Sequence, residues 1–383
     1  MCNVRCSSWF LVTVCIVIVI GILILGLHPK DFSNANNTRW ILQPNGISFG
    51  KYGMAYTDPS IELFPSDISN NSKNAGFSIE MALKSAHCHD TDFSIILSLH
   101  NGDDKTQFII GQWREWIIVM NGDDYAHKRK TKRISVNTAS LCSKILFITL
   151  ISDKDSTKFY MEGQLMSEKK SFSLKMPDGT RKARLIIGNS IYGRQSWRGD
   201  IYGLALYDYI LTKDQIIGHY TQWSDERNFS FAQMENPYTL YLFEKTNSTR
   251  FIDYGYGKNH LHIPKSTKVF KCQILTSPFH YLTVNGNFIE DSILNLFGFV
   301  PLGFFLMIAF MRFSNSHKTY GLFLVVSFGF LLSLFIECSQ SMIPSRSSSL
   351  LDLILNTIGT LIGVLMYRLF IFSKQYFYED KTL

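Results

Sequence analysis

Residues 9–27 read WFLVTVCIVIVIGILILGL, a run of 19 residues without a charge. In a helix that rises 1.5 Å per residue, this run covers roughly 28 Å, about the thickness of the hydrocarbon core of a bilayer. A cleaved signal peptide is the alternative. The apolar run is longer than such a segment requires, and His28-Pro29-Lys30 ends it without a small-x-small cleavage site. We therefore predict a retained N-terminal transmembrane helix.

Three more apolar stretches, 292–311, 319–336 and 353–372, lie near the other end of the chain. The first two are uncharged, and basic segments follow the first and the third of them. By the positive-inside rule these basic segments face the cytoplasm. Four crossings then predict cytoplasmic N- and C-termini and an extracytoplasmic region over residues 30–287, in an integral protein of the plasma membrane.

The charge pattern argues against a nucleic-acid surface. The formal net charge of +7 is modest for 383 residues, and the basic residues are mixed with acidic ones. The densest basic run, 128–133, suits a solvated hairpin tip. The cysteines show no C-x-x-C spacing typical of zinc or redox sites. Cys88 and Cys142 fall in the predicted oxidising compartment and are a candidate disulfide, which leaves Cys272 unpaired.

Residues 45–263 alternate between short β-branched and aromatic runs and clusters of Asn, Asp, Gly and Lys. This punctuation is typical of an all-β sandwich or barrel. The predicted strands are 77–83, 93–99, 108–110, 116–120, 145–151, 159–161 and 185–187.

Three motifs in this region resemble the laminin-G-like, concanavalin-A-like jelly-roll family. They are FYMEGQL at 159–165, LIIGN at 185–189 and WRGDIYGLALY at 197–207. The resemblance implies a jelly-roll sandwich. Residues 240–244 and 253–259 resemble the strand and turn that usually begin such domains, but here they come last. They either complete the sandwich from its C-terminal side, as in a permuted arrangement, or extend a stalk near the membrane.

The sandwich lacks the sequence patterns of a catalytic site. It has no E-x-D-x-x-E carboxylate triplet, no G-x-S-x-G turn and no H-E-x-x-H helix. Binding is therefore the expected activity. The candidate sugar-stacking residues, for which filling the core is the alternative, are Trp113, Trp116, Tyr125, Tyr192 and Trp197. The candidate calcium ligands, for which solvated turn acids are the alternative, are Asp103, Asp104, Asp123 and Asp124.

Polar side chains recur within the predicted C-terminal crossings, where each costs several kcal/mol unless it is paired or hydrated. They occur in pairs spaced three or four residues apart, so each pair shares one helix face. We expect the three faces to converge near the outer leaflet, with an arginine as countercharge. The residues are Asp291 and Asn295, Glu337 and Gln340, Arg346, and Asp352 and Asn356.

Their order, D-x-x-x-N, F-x-P-x-G, E-x-x-Q, R, D-x-x-x-N and G-x-x-x-G, resembles the VanZ-like family. The resemblance implies that the N-terminal helix is the first crossing of that family and that the sandwich is inserted after it. It also implies a place in the cell envelope and a link to glycopeptide tolerance. Packing alone is the other reading of the polar faces, because interhelical hydrogen bonds and the G-x-x-x-G at Gly359 and Gly363 hold helices together.

The sequence therefore predicts an all-β jelly-roll sandwich inserted into an α-helical membrane bundle of four transmembrane helices. The expected parts are an N-terminal helix over 1–30, a sandwich over 34–268, a linker over 269–288, a VanZ-like region over 289–373 and a tail over 374–383.

The leading functional hypothesis is an envelope protein whose sandwich binds a glycan or protein and whose helices engage a lipid-linked or cell-wall component. The alternative is a membrane enzyme or transporter in which Glu337 and Asp352 handle protons. A third hypothesis is a structural anchor. Membrane lipid is an expected partner and nucleic acid is not. The sequence identifies no certain cofactor, and calcium is a candidate.

Overall fold

The computed structural model describes residues 2–28, 35–57, 76–101, 107–175, 183–245, 249–267, 272–277, 286–313, 318–343 and 346–379. The chain divides into two compact units. One comprises Met1–Phe32 and Cys272–Leu383, and the other comprises Ser33–Lys271.

The second unit is a sandwich of two antiparallel sheets, so the predicted fold class is confirmed. The strands of the first sheet are β1 (Thr38–Leu42), β2 (Asn45–Phe49), β4 (Gly76–Ser85), β9 (Leu146–Asp153), β10 (Ser156–Met161), β11 (Gln164–Lys170), β13 (Gly199–Tyr207) and β14 (Thr239–Tyr241). Those of the second are β3 (Ala55–Thr57), β5 (Ser94–His100), β6 (Phe108–Trp113), β7 (Trp116–Asn121), β8 (Arg133–Asn137), β12 (Arg184–Ile187), β15 (Arg250–Phe251) and β16 (Leu261–His262). In the described residues the first sheet runs β1-β2-β13-β4-β9-β10-β11, with β14 also paired to β13, and the second runs β15-β16-β3-β12-β5-β6-β7-β8.

Both faces of the central strand β4 are buried. One face contributes Ile79, Met81 and Leu83 to the core between the sheets. The other face, with Glu80 and Ala82, lies in the layer formed by helix α2 (Lys213–Glu226) and the short 3-10 helix Ser230–Glu235. This second layer explains why β4 reads as a nearly continuous buried run instead of an alternating one.

The segment after α2 completes the sandwich and forms no stalk. Strand β14 pairs with β13, while β15 and β16 pair with each other and β16 pairs with β3. The buried Asp253 accepts hydrogen bonds from the backbone N–H groups of Leu240 at 2.7 Å and Gly255 at 2.8 Å. This carboxylate holds together the turn that the sequence placed at 253–259.

The first unit consists of helices. They are α1 (Cys2–Leu27), α3 (Gly286–Gly298), α4 (Val300–Phe313), α5 (Lys318–Ser341) and α6 (Leu350–Glu379). The described residues contain four spans that are long and apolar enough to cross a membrane: Trp9–Leu27, Ile289–Phe313, Tyr320–Ser341 and Leu350–Ser373. The second span is interrupted at Phe299 because Pro301 has no N–H for the preceding turn and its ring clashes with that turn.

Helix α6 approaches this break at two glycines. A Cβ atom added at Gly359 would lie 2.1 Å from the carbonyl oxygen of Leu296, and one at Gly363 would lie 2.1 Å from that of Val300. On the α4 side, a Cβ at Gly303 would lie 2.0 Å from the carbonyl oxygen of Thr360. Only residues without a side chain permit this backbone contact.

Candidate functional site

A cavity of about 490 Å³ lies in the helical unit between α1, α3, α5 and α6. Apolar side chains from α1, α3 and α5 form one part of its wall. The seven polar residues singled out from the sequence all line it: Asp291, Asn295, Glu337, Gln340, Arg346, Asp352 and Asn356. The structure therefore brings together residues that come from three helices and one loop.

Glu337 lies at the start of α6 although it belongs to α5. Its side chain is buried, and its Oε2 accepts a hydrogen bond of 2.7 Å from the backbone N–H of Ser349, the residue before α6. The first N–H groups of a helix have no partner within the helix, and a carboxylate also interacts favourably with the positive end of the helix dipole. Glu337 thus fixes α5 to the first turn of α6.

Arg346 lies at the end of α1. Its Nη2 donates to the carbonyl oxygens of Leu25 at 3.0 Å and Gly26 at 3.3 Å, and its Nε donates to that of His28 at 3.1 Å. Gln340 adds a bond of 2.7 Å from Nε2 to the same Gly26 oxygen. Since the last carbonyl groups of a helix lack partners within it, these donors hold α1 against the cavity. The sequence predicted Arg346 only as a countercharge and missed this contact.

Asn356 has one satisfied and one unsatisfied polar atom. Its Nδ2 donates to Ser333 Oγ at 2.9 Å, within the bundle. Its Oδ1 is buried and has no hydrogen-bond partner in the described part of the chain, and the residue is only 3% exposed. An acceptor left in this state is costly, so it marks a place where a donor belongs.

The segment that follows the sandwich contacts the loop before α6. Thr276 accepts from the backbone N–H of Leu350 at 3.2 Å and donates its own N–H to the carbonyl of Ser348 at 3.0 Å. Leu275 donates to Ser348 Oγ at 3.0 Å. Sequence reasoning missed these residues, although the serines before α6 match the preference for serine at helix N-termini.

In the sandwich, Trp113 and Trp116 face each other across the β6–β7 hairpin. They are 38% and 37% exposed. Trp113 Nε1 donates to the carbonyl of Thr91 at 2.9 Å, and the guanidinium of Arg114 lies 5.0 Å from the Trp113 ring. The hairpin therefore presents two aromatic rings to solvent, and one of them is held in orientation.

The prediction for Tyr192 and Trp197 is wrong. Trp197 is 1% exposed, packs near Phe49 in the core, and donates from Nε1 to Gln112 Oε1 at 2.7 Å. Tyr192 is 3% exposed. Both rings fill space within the sandwich, so neither offers a face to a sugar. Tyr125 is half-buried and stacks on Phe93 at 5.2 Å.

The turn carboxylates that the structure describes have protein partners. Burial raises the pKa of Asp124, but hydrogen bonds from Thr131 and Arg129, together with the charge of Arg133 at 3.4 Å, outweigh it and hold the pKa below its usual value. Asp123 pairs with Arg129. Asp103 and Asp104 lie outside the described residues. Within the described ranges, no three His, Cys, Asp or Glu residues cluster as metal ligands would.

A disulfide joins Cys88 and Cys142, whose Cα atoms are 6.1 Å apart. The two cysteines are 54 residues apart in the sequence. Cys272 carries a free thiol.

A buried polar cluster that the sequence did not reveal joins α2 to the first sheet. His219 Nδ1 lies 2.9 Å from Glu80 Oε2, and its Nε2 lies 3.7 Å from Glu235 Oε1. Tyr207 donates to Glu80 at 3.0 Å. Burial lowers the pKa of His219, but the hydrogen bonds and charges of Glu80 and Glu235 outweigh it, so the pKa is raised. Spacing alone could not reveal the cluster, because its members lie on distant strands and helices.

Three of the solved structures that are similar to this chain are the following. A structure of botulinum neurotoxin type C, a toxin whose cell entry depends upon interaction with two ganglioside molecules, is 14% identical with a TM-score of 0.37, covering 49% of this chain and 45% of that one. A putative carbohydrate binding protein from Bacteroides ovatus is 13% identical with a TM-score of 0.38, covering 54% and 55%. A CBM40 domain of Ruminococcus gnavus IT-sialidase, bound to sialyllactose, is 16% identical with a TM-score of 0.30, covering 38% and 82%.

This chain therefore spans about half the length of the first two of these structures. None of the curated proteins matches it. Residues 57–217 match the model of the Concanavalin A-like lectin/glucanases superfamily, and residues 218–371 match the VanZ/LLP1 family model. The chain thus combines a concanavalin-A-like domain with a VanZ-like region, as its sequence motifs predicted.

Proposed function

We propose that this chain is a cell-envelope membrane protein that binds an amphiphilic, lipid-linked ligand in the cavity of its helical unit. The observation that carries the proposal is the convergence of seven polar residues on one cavity whose wall, apart from Ser347, is otherwise apolar. Packing alone does not require a cavity, and the side chains that join helices here, Glu337, Gln340 and Arg346, line this one as well. A ligand with a polar head and an apolar tail matches both parts of the wall.

A pair of tryptophan substitutions on α1 tests this proposal. Leu25 lines the cavity and Ile24 does not, although both side chains are exposed on the same helix. Leu25→Trp should fill the cavity, so the protein purified in mild detergent should retain less co-purifying lipid. Ile24→Trp is the matched control and should retain lipid as the parent chain does. Equal retention by the two variants, measured by native mass spectrometry, would count against the proposal.

We also propose a topology in which the sandwich lies outside the cytoplasm and both termini lie inside. Four crossings put the termini on one side, and the basic segments after α4 and near the end of α6 favour the cytoplasmic side. The disulfide between Cys88 and Cys142 supports an oxidising location for the sandwich.

Glycan binding by the sandwich is a second candidate function, favoured by the exposed rings of Trp113 and Trp116. Aromatic faces suit the apolar faces of sugars, and the concanavalin-A-like superfamily includes lectins. A glycan array probed with the full-length chain tests it. Trp113→Ala with Trp116→Ala should remove any signal, whereas Leu165→Ala, an exposed apolar residue of another hairpin, should not.

The alternative of a membrane enzyme or transporter rests on Glu337 and Asp352, which line the same cavity. If these two carboxyls handle protons, Glu337→Gln should abolish turnover or transport of the lipid-linked substrate while expression stays normal. The link to glycopeptide tolerance has a direct test, namely whether expression of the chain in a sensitive host raises the inhibitory concentration of teicoplanin. An unchanged concentration would remove that link and leave ligand binding standing.

A further inference from the structure

We infer that the ligand of the helical cavity is a membrane lipid whose headgroup carries a primary amine, an inference that rests on the function proposed above. The cavity would take the headgroup at its polar end and the acyl chains along its apolar wall. The inference concerns the chemistry of the headgroup, which the proposed function leaves open.

The apolar wall indicates entry from the bilayer. Four of its members on α1 and α3 are exposed apolar side chains: Leu25, Ile293, Leu294 and Phe297. Helix α1 packs on α4 and α5, whereas α3 packs on α6 and α4, so the cavity lies where α1 and α3 face each other. In a membrane, exposed apolar side chains at this point face lipid, and a tail can lie between the two helices.

The polar end favours a ligand that donates hydrogen bonds. Among the described residues that line the cavity, the ionisable groups are the carboxyls of Asp291, Glu337 and Asp352 and the guanidinium of Arg346. Carboxylates accept and do not donate when ionised, and they attract cations. The three carboxyls outnumber the single guanidinium among these side chains, which disfavours an anionic group.

Arg346 is engaged by protein acceptors and is therefore a poor receptor for an anion. Two of its nitrogens, Nε and Nη2, donate to carbonyl oxygens at the end of α1. This contact holds the helix and occupies the Nε and Nη2 donors of the guanidinium. That pair of donors is therefore not available for a bidentate contact with a phosphate or carboxylate.

Asn356 supplies an independent observation. Its Oδ1 is buried and has no hydrogen-bond partner among the residues that the structure describes, and the residue lines the cavity, whereas its Nδ2 already donates to Ser333. The unsatisfied atom is therefore an acceptor. A primary ammonium has three N–H donors, and one of them would satisfy this oxygen while the positive charge lies among the carboxylates.

Lipids with identical acyl chains and different headgroups test the inference in the intact chain. Phosphatidylethanolamine has N–H donors, phosphatidylcholine has the same charge without them, and phosphatidylglycerol is anionic. The detergent-solubilised protein is mixed with equal amounts of the three and examined by native mass spectrometry. We expect phosphatidylethanolamine to be retained over phosphatidylcholine by roughly tenfold, the effect of one hydrogen bond with a charged partner.

Two variants locate the preference. Asn356→Leu removes the unsatisfied oxygen and should bring the ratio between the two lipids close to one. Ser333→Ala removes the same Asn356–Ser333 bond but keeps the oxygen, so the ratio should remain. The comparison of lipids on the parent chain needs no variant and stands even if Asn356→Leu does not fold.

The outcomes separate the inference from the proposed function. Retention of all three lipids in equal amounts, or preference for phosphatidylglycerol, overturns the amine headgroup and leaves lipid binding intact. Retention of none of them, with no lipid co-purifying, overturns the proposed function as well. An amine preference that Asn356→Leu leaves unchanged overturns the assignment of the headgroup to this cavity.

Discussion

Single side chains in the helical unit hold the ends of helices that are distant in the sequence. Arg346 and Gln340 contact the end of α1, and Glu337 contacts the start of α6. At such ends the backbone groups have no partner within the helix, and in lipid no water replaces it. The same polar residues that line the cavity therefore also fix the positions of the helices around it.

Replacing Arg346 should loosen α1. We expect Arg346→Ala to lower the stability of the helical unit by roughly 1.5 to 3 kcal/mol, because hydrogen bonds from a charged donor to the carbonyls of α1 are lost. The measurement is the thermal unfolding midpoint in detergent. Arg312→Ala, at the exposed end of α4, is the control and should change it much less. Similar losses in the two variants would show that the α1 contact contributes little.

The raised pKa of His219 makes the attachment of α2 dependent on pH. A histidine whose pKa is higher in the folded than in the unfolded state stabilises the fold fully below its unfolded pKa, about 6.5, and this contribution is lost as the pH rises through the folded pKa. Amide protection of α2 in hydrogen exchange, corrected for the intrinsic rate, should therefore fall above about pH 6.5.

The variant His219→Gln should remove this dependence, because it cannot become charged between Glu80 and Glu235. The control is His127→Gln on an exposed hairpin, which should keep the parent profile. A flat profile in the parent chain would contradict the assigned charge of His219.

At the scale of elements, one proline and three glycines shape the helical unit. Pro301 interrupts the second span, and α6 packs against the interrupted region through Gly359 and Gly363, with Gly303 on the opposing helix. The F-x-P-x-G and G-x-x-x-G motifs therefore describe the two sides of one contact.

Adding a methyl group at this contact should destabilise the bundle. In Gly363→Ala the new Cβ would lie 2.1 Å from a backbone oxygen that no rotamer change can move, so we expect a loss of roughly 1 to 3 kcal/mol. Gly21→Ala in α1 is the control, since no atom of the described part of the chain lies within 4 Å of its added Cβ. Thermal unfolding in detergent distinguishes them, and equal midpoints would mean that α6 can shift at no cost.

At the scale of the whole molecule, the proposed topology places the sandwich outside the cytoplasm and the end of α4 inside it. Met234→Cys in the sandwich should react with a membrane-impermeant maleimide on intact cells. Arg312→Cys, at the end of α4, should react only after the cells are permeabilised. Both are compared with the parent chain, whose own thiols set the background. The reverse pattern would invert the topology.

The motifs of the sandwich predicted its architecture, but whether each aromatic residue is buried or exposed depended on tertiary packing. Trp113 and Trp116 are exposed at a hairpin, while Trp197 lies in the core with a hydrogen bond to Gln112. All three occur in similar local sequence, next to polar or charged residues. Burial depends on which strands cover a residue, and those strands come from distant parts of the chain.

The sequence alone determined the four candidate membrane spans, the class of the sandwich and the spacing of the polar pairs, because hydropathy and helical periodicity are local properties. Tertiary structure alone decided that Arg346 contacts the end of α1, that the oxygen of Asn356 lacks a partner within the described ranges, and that His219 lies between two carboxylates. These three outcomes depend on distances between segments far apart in the chain, which only packing brings within reach of a hydrogen bond.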